Sequence, residues 1–258
     1  MASATVFSKQ LLGTESTFQG SRHALKHILH TPRPDAEHLC VVFSSQSRQP
    51  KYHYLRTLMW ADCHQLYILD DHGIDIDGYG FGGCWYLGQA RDFSFEADVM
   101  ALIKQVTGEL GVARENVIAC GSSKGAFCAL YYGLKHGLGH VVCGGPTIYL
   151  GHTLFFRVHA RFFDIAEYIA GGHSGDDLEF LDGLMFDALR SPGPKPNVHL
   201  HIGRGDEHYD GHILPFLDAA AEHGVTVELD VGVYERHEEL EVFFPPYLLT
   251  TVRRITRA

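Results

Sequence analysis

The chain has 258 residues, 45% of them hydrophobic, 12% aromatic and 20% charged. That much apolar material builds a large core, which excludes a disordered chain and suits a single domain over residues 1–258. A formal charge of −10 argues against nucleic acid or an anionic membrane as the main partner, because both need clustered Lys and Arg.

The six cysteines, Cys40, Cys63, Cys84, Cys120, Cys128 and Cys143, form no C-x-x-C pair, and several sit inside apolar runs. Buried, reduced thiols are the reading, and they suit a cytoplasmic protein better than a secreted one. The first ten residues show no basic stretch leading into an apolar one, so no signal peptide is expected, and no apolar run reaches membrane-spanning length. The 18 histidines make surface charge sensitive to mild acid.

Along the chain, Ala24 to His30 reads as a strand. Leu39–Phe43 and Leu66–Asp70 read as buried parallel strands separated by a helical stretch, Tyr52 to Ala61. A glycine-dense run from Gly73 to Gly88, interleaved with aromatics such as Tyr79, Phe81 and Trp85, predicts an ordered loop. It either borders a pocket or packs on its own rings. Val99, Leu102, Ile103, Val106 and Leu110 share one face of a helix over 95–110, closed by Gly111. A strand over 116–120, a helix over 124–136 and a strand over 139–143 follow. From about 150 to 192 the alternation stops: two helical stretches, Leu154–Ala170 and Leu178–Leu189, predict an inserted helical cap. Its aromatics, Phe155, Phe156, Phe162, Phe163 and Tyr168, either face a pocket or pack between helices. Strand 198–202, helix 212–223, strand 226–231 and a final helix over 240–256 complete an α/β pattern with a parallel sheet.

One segment carries chemistry. Val117–Cys120 runs into Gly121-Ser122-Ser123-Lys124-Gly125, and a helical run follows. A G-x-S-x-G match acquires meaning in this strand–turn–helix context, where a strained turn exposes the serine hydroxyl. A serine is a poor nucleophile until a base takes its proton, so the turn predicts a histidine and a carboxylate further on. The loop after strand 198–202 holds Asp206, and the loop after strand 226–231 holds His237. Both loops leave the carboxyl edge of the sheet, the edge on which the turn sits. Ser122 is the adjacent rival, set aside by the motif spacing. Glu207 and Asp210 are rivals to Asp206, set aside by its position at the strand end. His208 and His212 lie too near the acid in sequence to be its expected partner.

With its glycine elbow, helical insertion and chain order Ser123, Asp206, His237, the chain resembles the α/β-hydrolase family over about residues 38–256. A shorter likeness, Gly121 to Gly125 followed by Ala-Leu-Tyr-Tyr-Gly-Leu-Lys, is similar to bacterial proteins of cell-surface polysaccharide and glycoprotein biogenesis, some of which are thought to move acetyl groups on sugars. The resemblance implies Ser123 as nucleophile, His237 as general base and acid, and Asp206 as the residue orienting the imidazole. It implies an oxyanion hole made by the backbone N–H of Lys124 and a second N–H from the loop after strand 39–43, where Ser45 is favoured. The family's His-Gly pair is missing from that loop.

The expected activity is that of a serine esterase acting on a small-molecule or saccharide ester or thioester. An O-acyltransferase and a non-catalytic binding protein of the same fold are the alternatives. No cofactor is expected: His23, His27 and His30 have helical spacing but no carboxylate or cysteine beside them, and no dinucleotide or phosphate-loop fingerprint occurs. His199 and His201 alternate onto one face of their strand.

Overall fold

The computed structural model describes residues 4–76, 80–156 and 161–257. Eight strands form the main sheet: β1 (Ser16–Gln19), β2 (Ala24–His30), β3 (Leu39–Phe43), β4 (His64–Ile68), β7 (Val117–Ser122), β8 (His140–Gly144), β9 (Asn197–Gly203) and β10 (Val227–Gly232). Their spatial order is β1-β2-β4-β3-β7-β8-β9-β10. From β4 to β10 all neighbours are parallel, while β2 runs antiparallel to both β1 and β4. β5 (Gly73–Ile76) and β6 (Gly80–Gly83) form a separate antiparallel ribbon.

Period-2 alternation divides the central strands between two cores. Cys40, Val42, Tyr67, Ile118, Cys120 and Val142 face α1 (Ala4–Leu12), α2 (Leu55–Leu58) and α9 (Leu240–Ile255), whose Leu58, Leu240, Phe244 and Leu248 close that side. Leu39, Val41, Leu66, Val117, Ala119 and Val141 face the other side. There α3 (Ser94–Leu110), α4 (Lys124–His136) and α8 (Leu214–Glu222) pack with Leu102, Ile103, Phe127, Leu130 and Phe216. Apolar burial on both faces accounts for the near-continuous hydrophobic runs in β3, β4 and β7. All six cysteines are buried and free. No helix among the described residues is long and apolar enough to cross a membrane.

Several expectations change in detail. The helical stretch 52–61 shrinks to the single turn of α2, because Tyr54 sits at φ 62° and cannot continue a right-handed helix. The glycine-dense run folds as the β5–β6 ribbon where it is described; Gly78 and Tyr79 lie outside the described residues. Between β8 and β9 the described residues form the helical segments α5 (Leu150–Phe156), α6 (Arg161–Ala170) and α7 (Gly175–Arg190). Residues 157–160, inside the expected 154–170 stretch, are outside the described set. Ser174 caps α7 by accepting the Asp177 N–H, and Asp177 returns the bond to the Ser174 N–H. The helix expected over 212–223 starts at Leu214, after a wide π-type turn over 209–213. His27 and His30 lie on β2, where an odd spacing sends them to opposite faces, and His23 is bonded to Asp98. The helical histidine array therefore does not form.

Candidate active site

β7 delivers the chain to the turn and α4 carries it away. Ser123, between them, sits at φ 52° and ψ −118°, a conformation that non-glycine residues rarely adopt. The two flanking glycines permit it. A Cβ on Gly121 would lie 2.6 Å from the backbone of Gly125, and one on Gly125 would run into the Phe43 carbonyl. The Ser123 N–H donates to the Gly144 carbonyl at the end of β8 over 2.8 Å, so the strained residue is held from the neighbouring strand.

His237 begins the helical turn 237–239 that follows β10, and its Nε2 lies 2.9 Å from Ser123 Oγ. Its Nδ1 lies 2.9 Å from Asp206 Oδ2. A carboxylate accepts only, so Nδ1 carries the proton and donates it, and Nε2 is left to accept from the serine hydroxyl. The Asp206 side chain is wholly buried, and its Oδ1 accepts the His208 N–H over 2.9 Å. Burial works to raise this carboxyl's pKa; the His237 hydrogen bond and charge and the His208 amide outweigh it and hold the group below its ordinary range. Glu207 and Asp210, by contrast, are exposed. The structure thus brings Ser123, His237 and Asp206 from three sheet-edge loops into one line of contacts.

The two residues expected at an oxyanion hole lie close by. Lys124 heads α4, so its N–H has no acceptor within the helix. Its side chain turns inward: Nζ reaches Asp70 Oδ2 at 2.6 Å, with both groups buried. Asp70 also accepts the Trp85 N–H at 3.1 Å and the Cys84 S–H at 3.3 Å. Ser45 lines the same cavity as Ser123. Its hydroxyl donates to the Ser122 carbonyl at 3.0 Å and lies 2.8 Å from Ser122 Oγ, which the Tyr54 hydroxyl meets on another side. Ser122 is therefore engaged away from His237. Burial pushes the Tyr54 phenol up to about 12.

The cavity over the elbow measures about 420 Å³ and is bounded by Ser45, Gln46, Tyr54, Ser123, Phe162 and His237. Lys51, Glu238 and Glu241 bring charge to it, and His53 an imidazole that burial, with the Lys51 and Lys124 charges, pushes down to about 4. Of the five aromatics expected in the helical insertion, Phe162 reaches this cavity. Phe155 and Phe163 pack on each other at 5.2 Å.

Sequence reasoning sets His208 aside and assigns no role to Tyr54, His53 or Asp70. His208 is buried, with its ring centroid 4.2 Å from that of His237, and its amide holds Asp206. The clue was its place two residues beyond the acid, where a backbone N–H turns back on the carboxylate. Asp206, His208 and His237 also bring ligating atoms within 4.8 Å of one another. Each nitrogen of His237 already has an oxygen partner, an arrangement suited to moving a proton.

The sequence matches no protein-family model and no curated protein. Solved structures do match. The capsule O-acetyltransferase of Neisseria meningitidis serogroup A superposes with a TM-score of 0.72 at 15% identity, over 94% of this chain and 99% of that one. The Glycosylation Associate Protein (Gap123) complex from Streptococcus agalactiae gives 0.72 at 16%, over 94% of this chain and 46% of that one, so this chain spans about half its length. FphF, a fluorophosphonate-binding serine hydrolase of Staphylococcus aureus, gives 0.70 at 13%, over 94% and 97%.

Proposed function

With the α/β-hydrolase fold as the premise, we propose that this chain is a serine-dependent acyl-transfer enzyme, and foremost an esterase. The observation that carries the reading is the continuous contact from Ser123 Oγ through His237 to Asp206, 2.9 Å at each step. Ser123 Oγ attacks the carbonyl carbon of an ester or thioester while His237 Nε2 takes its proton. The carbon–oxygen or carbon–sulfur bond to the leaving group then breaks, and His237 returns the proton to the departing alcohol or thiol. Water next gives a proton to His237 and attacks the acyl-serine; the bond to Ser123 Oγ breaks, His237 returns the proton to Oγ, and the acid leaves. Asp206 stays ionised throughout and stabilises the imidazolium. The N–H of Lys124 and that of Ser45 are the proposed donors to the oxyanion, and α5–α7 the proposed cap over the elbow.

Incubation with a fluorophosphonate probe tests this. Native protein is expected to gain the adduct mass on Ser123, and Ser123→Ala to gain none; native protein that stays unlabelled overturns the reading in favour of a non-catalytic binding protein.

A second reading, O-acyl transfer, has a specific support: the match to a capsule O-acetyltransferase spans nearly all of both chains. In that case a saccharide hydroxyl replaces water in the second half-reaction. The ratio of acetate to acetylated glycoside, formed from one activated acetyl ester, separates the two.

A further inference from the structure

A second cavity, of about 630 Å³, lies between the helical insertion and the loop that carries Asp206. His208 is the wall it shares with the proposed catalytic centre: the ring lines this cavity and stands 4.2 Å from the ring of His237. We propose that this cavity is a saccharide subsite, binding a neutral polyhydroxylated ring; the proposal deepens the acyl-transfer reading on which it rests.

The lining supplies fixed acceptors, a fixed donor and flat apolar faces. Asp182, on α7, has its Oδ1 held by the His152 N–H at 2.9 Å, and Glu207 adds a second carboxylate. Burial raises the Asp182 carboxyl above its ordinary range, so this group gains from a ligand hydroxyl that replaces lost water. His212 Nδ1 accepts two backbone N–H groups, those of Ile148 and Tyr149, at 3.1 Å each. That nitrogen is therefore an acceptor, and the ring proton sits on Nε2, which makes the imidazole a donor of defined tautomer. The rings of His152 and Phe156 lie 4.8 Å apart, and Phe156 keeps 64% of its surface exposed. A pyranose combines C–H faces that cover such rings with vicinal hydroxyls that pair with carboxylates and N–H donors.

Charge narrows the choice. Two carboxylates and no Lys or Arg line this cavity among the described residues. A phosphorylated or carboxylated ligand would meet repulsion there. A bare ammonium would match the carboxylates but make no use of the His212 donor. Gly211 supplies the handle for a test. It lines the cavity, has an ordinary φ, and a Cβ built on it meets nothing within 4 Å. A large side chain at 211 therefore has room at the cavity wall without backbone strain.

Binding is read by saturation-transfer NMR on Ser123→Ala protein, which separates this proposal from the chemistry. The probes are methyl glucoside, galactoside, mannoside and N-acetylglucosaminide, with glucose 6-phosphate and tetramethylammonium as rivals. Saturable binding of at least one neutral glycoside is expected, in the millimolar range typical of small polar ligands with about −4 kcal/mol of affinity. Gly211→Trp, with its melting temperature retained, is expected to abolish it, and Asp182→Asn to weaken it about tenfold, or about 1.4 kcal/mol. The proposal is overturned by silence from all four glycosides, by equal or tighter binding of either charged probe, or by binding unchanged in both variants. Glycoside binding without fluorophosphonate labelling would leave the subsite standing and remove the acyl-transfer reading. Labelling without glycoside binding would do the reverse.

Discussion

Three imidazole–carboxylate pairs are built on β9, β10 and the loops that leave them, and they differ in one respect. His199 meets Glu228 at 2.9 Å and His201 meets Asp230 at 2.5 Å, but those carboxylates are 51% and 52% exposed. His237 meets Asp206 at 2.9 Å, and that carboxylate is fully enclosed, with a second oxygen fixed by a backbone amide. Of the three, this pair has a serine hydroxyl on its far side, that of Ser123. A histidine beside an acid is thus common on this sheet edge, whereas an enclosed acid facing a strained serine occurs once among the described residues. Enclosure removes competing water, so the carboxylate's charge acts on one imidazole at close to full strength.

Paired substitutions test this contrast. Asp206→Asn forces the wrong tautomer on His237 and is expected to lower kcat on an activated ester by about 10⁴, or about 5.5 kcal/mol. Asp230→Asn should leave kcat within about twofold, as surface changes usually do. Comparable losses from the two variants, in steady-state kinetics, would show that enclosure is not what distinguishes the pairs.

Next in size is another enclosed carboxylate, Asp70. Its removal in Asp70→Ala strands the buried Lys124 ammonium at the head of α4. The expected loss is about 3–5 kcal/mol in urea unfolding. Asp70→Ala together with Lys124→Met should recover much of it, because no unpaired charge then remains.

The smallest effect concerns His53, an imidazole governed by burial and nearby cations instead of a carboxylate, and pushed down to about 4 from 6.5. Between those values the unfolded chain binds the proton and the folded one does not. Stability therefore falls as pH drops through that window, by about 2–3 kcal/mol after allowance for partial exposure. Urea titrations at pH 7 and 4.5 should reveal the loss in wild type and a reduced one in His53→Gln. Equal losses would remove His53 as the cause.

Much of this organisation was legible in the sequence, and what was missed has physical causes. β3, β4 and β7 are buried on both faces, so their apolar runs announce them, and the glycines flanking Ser123 are dictated by backbone packing that tolerates no side chain. β1 escaped notice because an exposed antiparallel edge strand, Ser-Thr-Phe-Gln, has little hydrophobic pattern. The sequence predicts a longer α2, because nothing in the composition of residues 52–61 reports that Tyr54 turns left-handed. Asp206 and His237 could be named from strand ends, since loops leaving a parallel sheet share one edge. The packing of the His208 ring on His237 and the role of Asp70 could not, because each depends on a contact across the fold with no local spacing to betray it.

The pair of serines at the elbow has a consequence for any knockout. Ser122 points the opposite way along the strand, and its hydroxyl is taken up by Ser45 and Tyr54. The backbone that aims position 123 is fixed by glycines on either side, so the register cannot slip to promote the neighbour. Despite the tandem alcohols, Ser122 is no spare for the proposed nucleophile, and Ser123→Ala is expected to leave a blank against which any residual turnover can be judged.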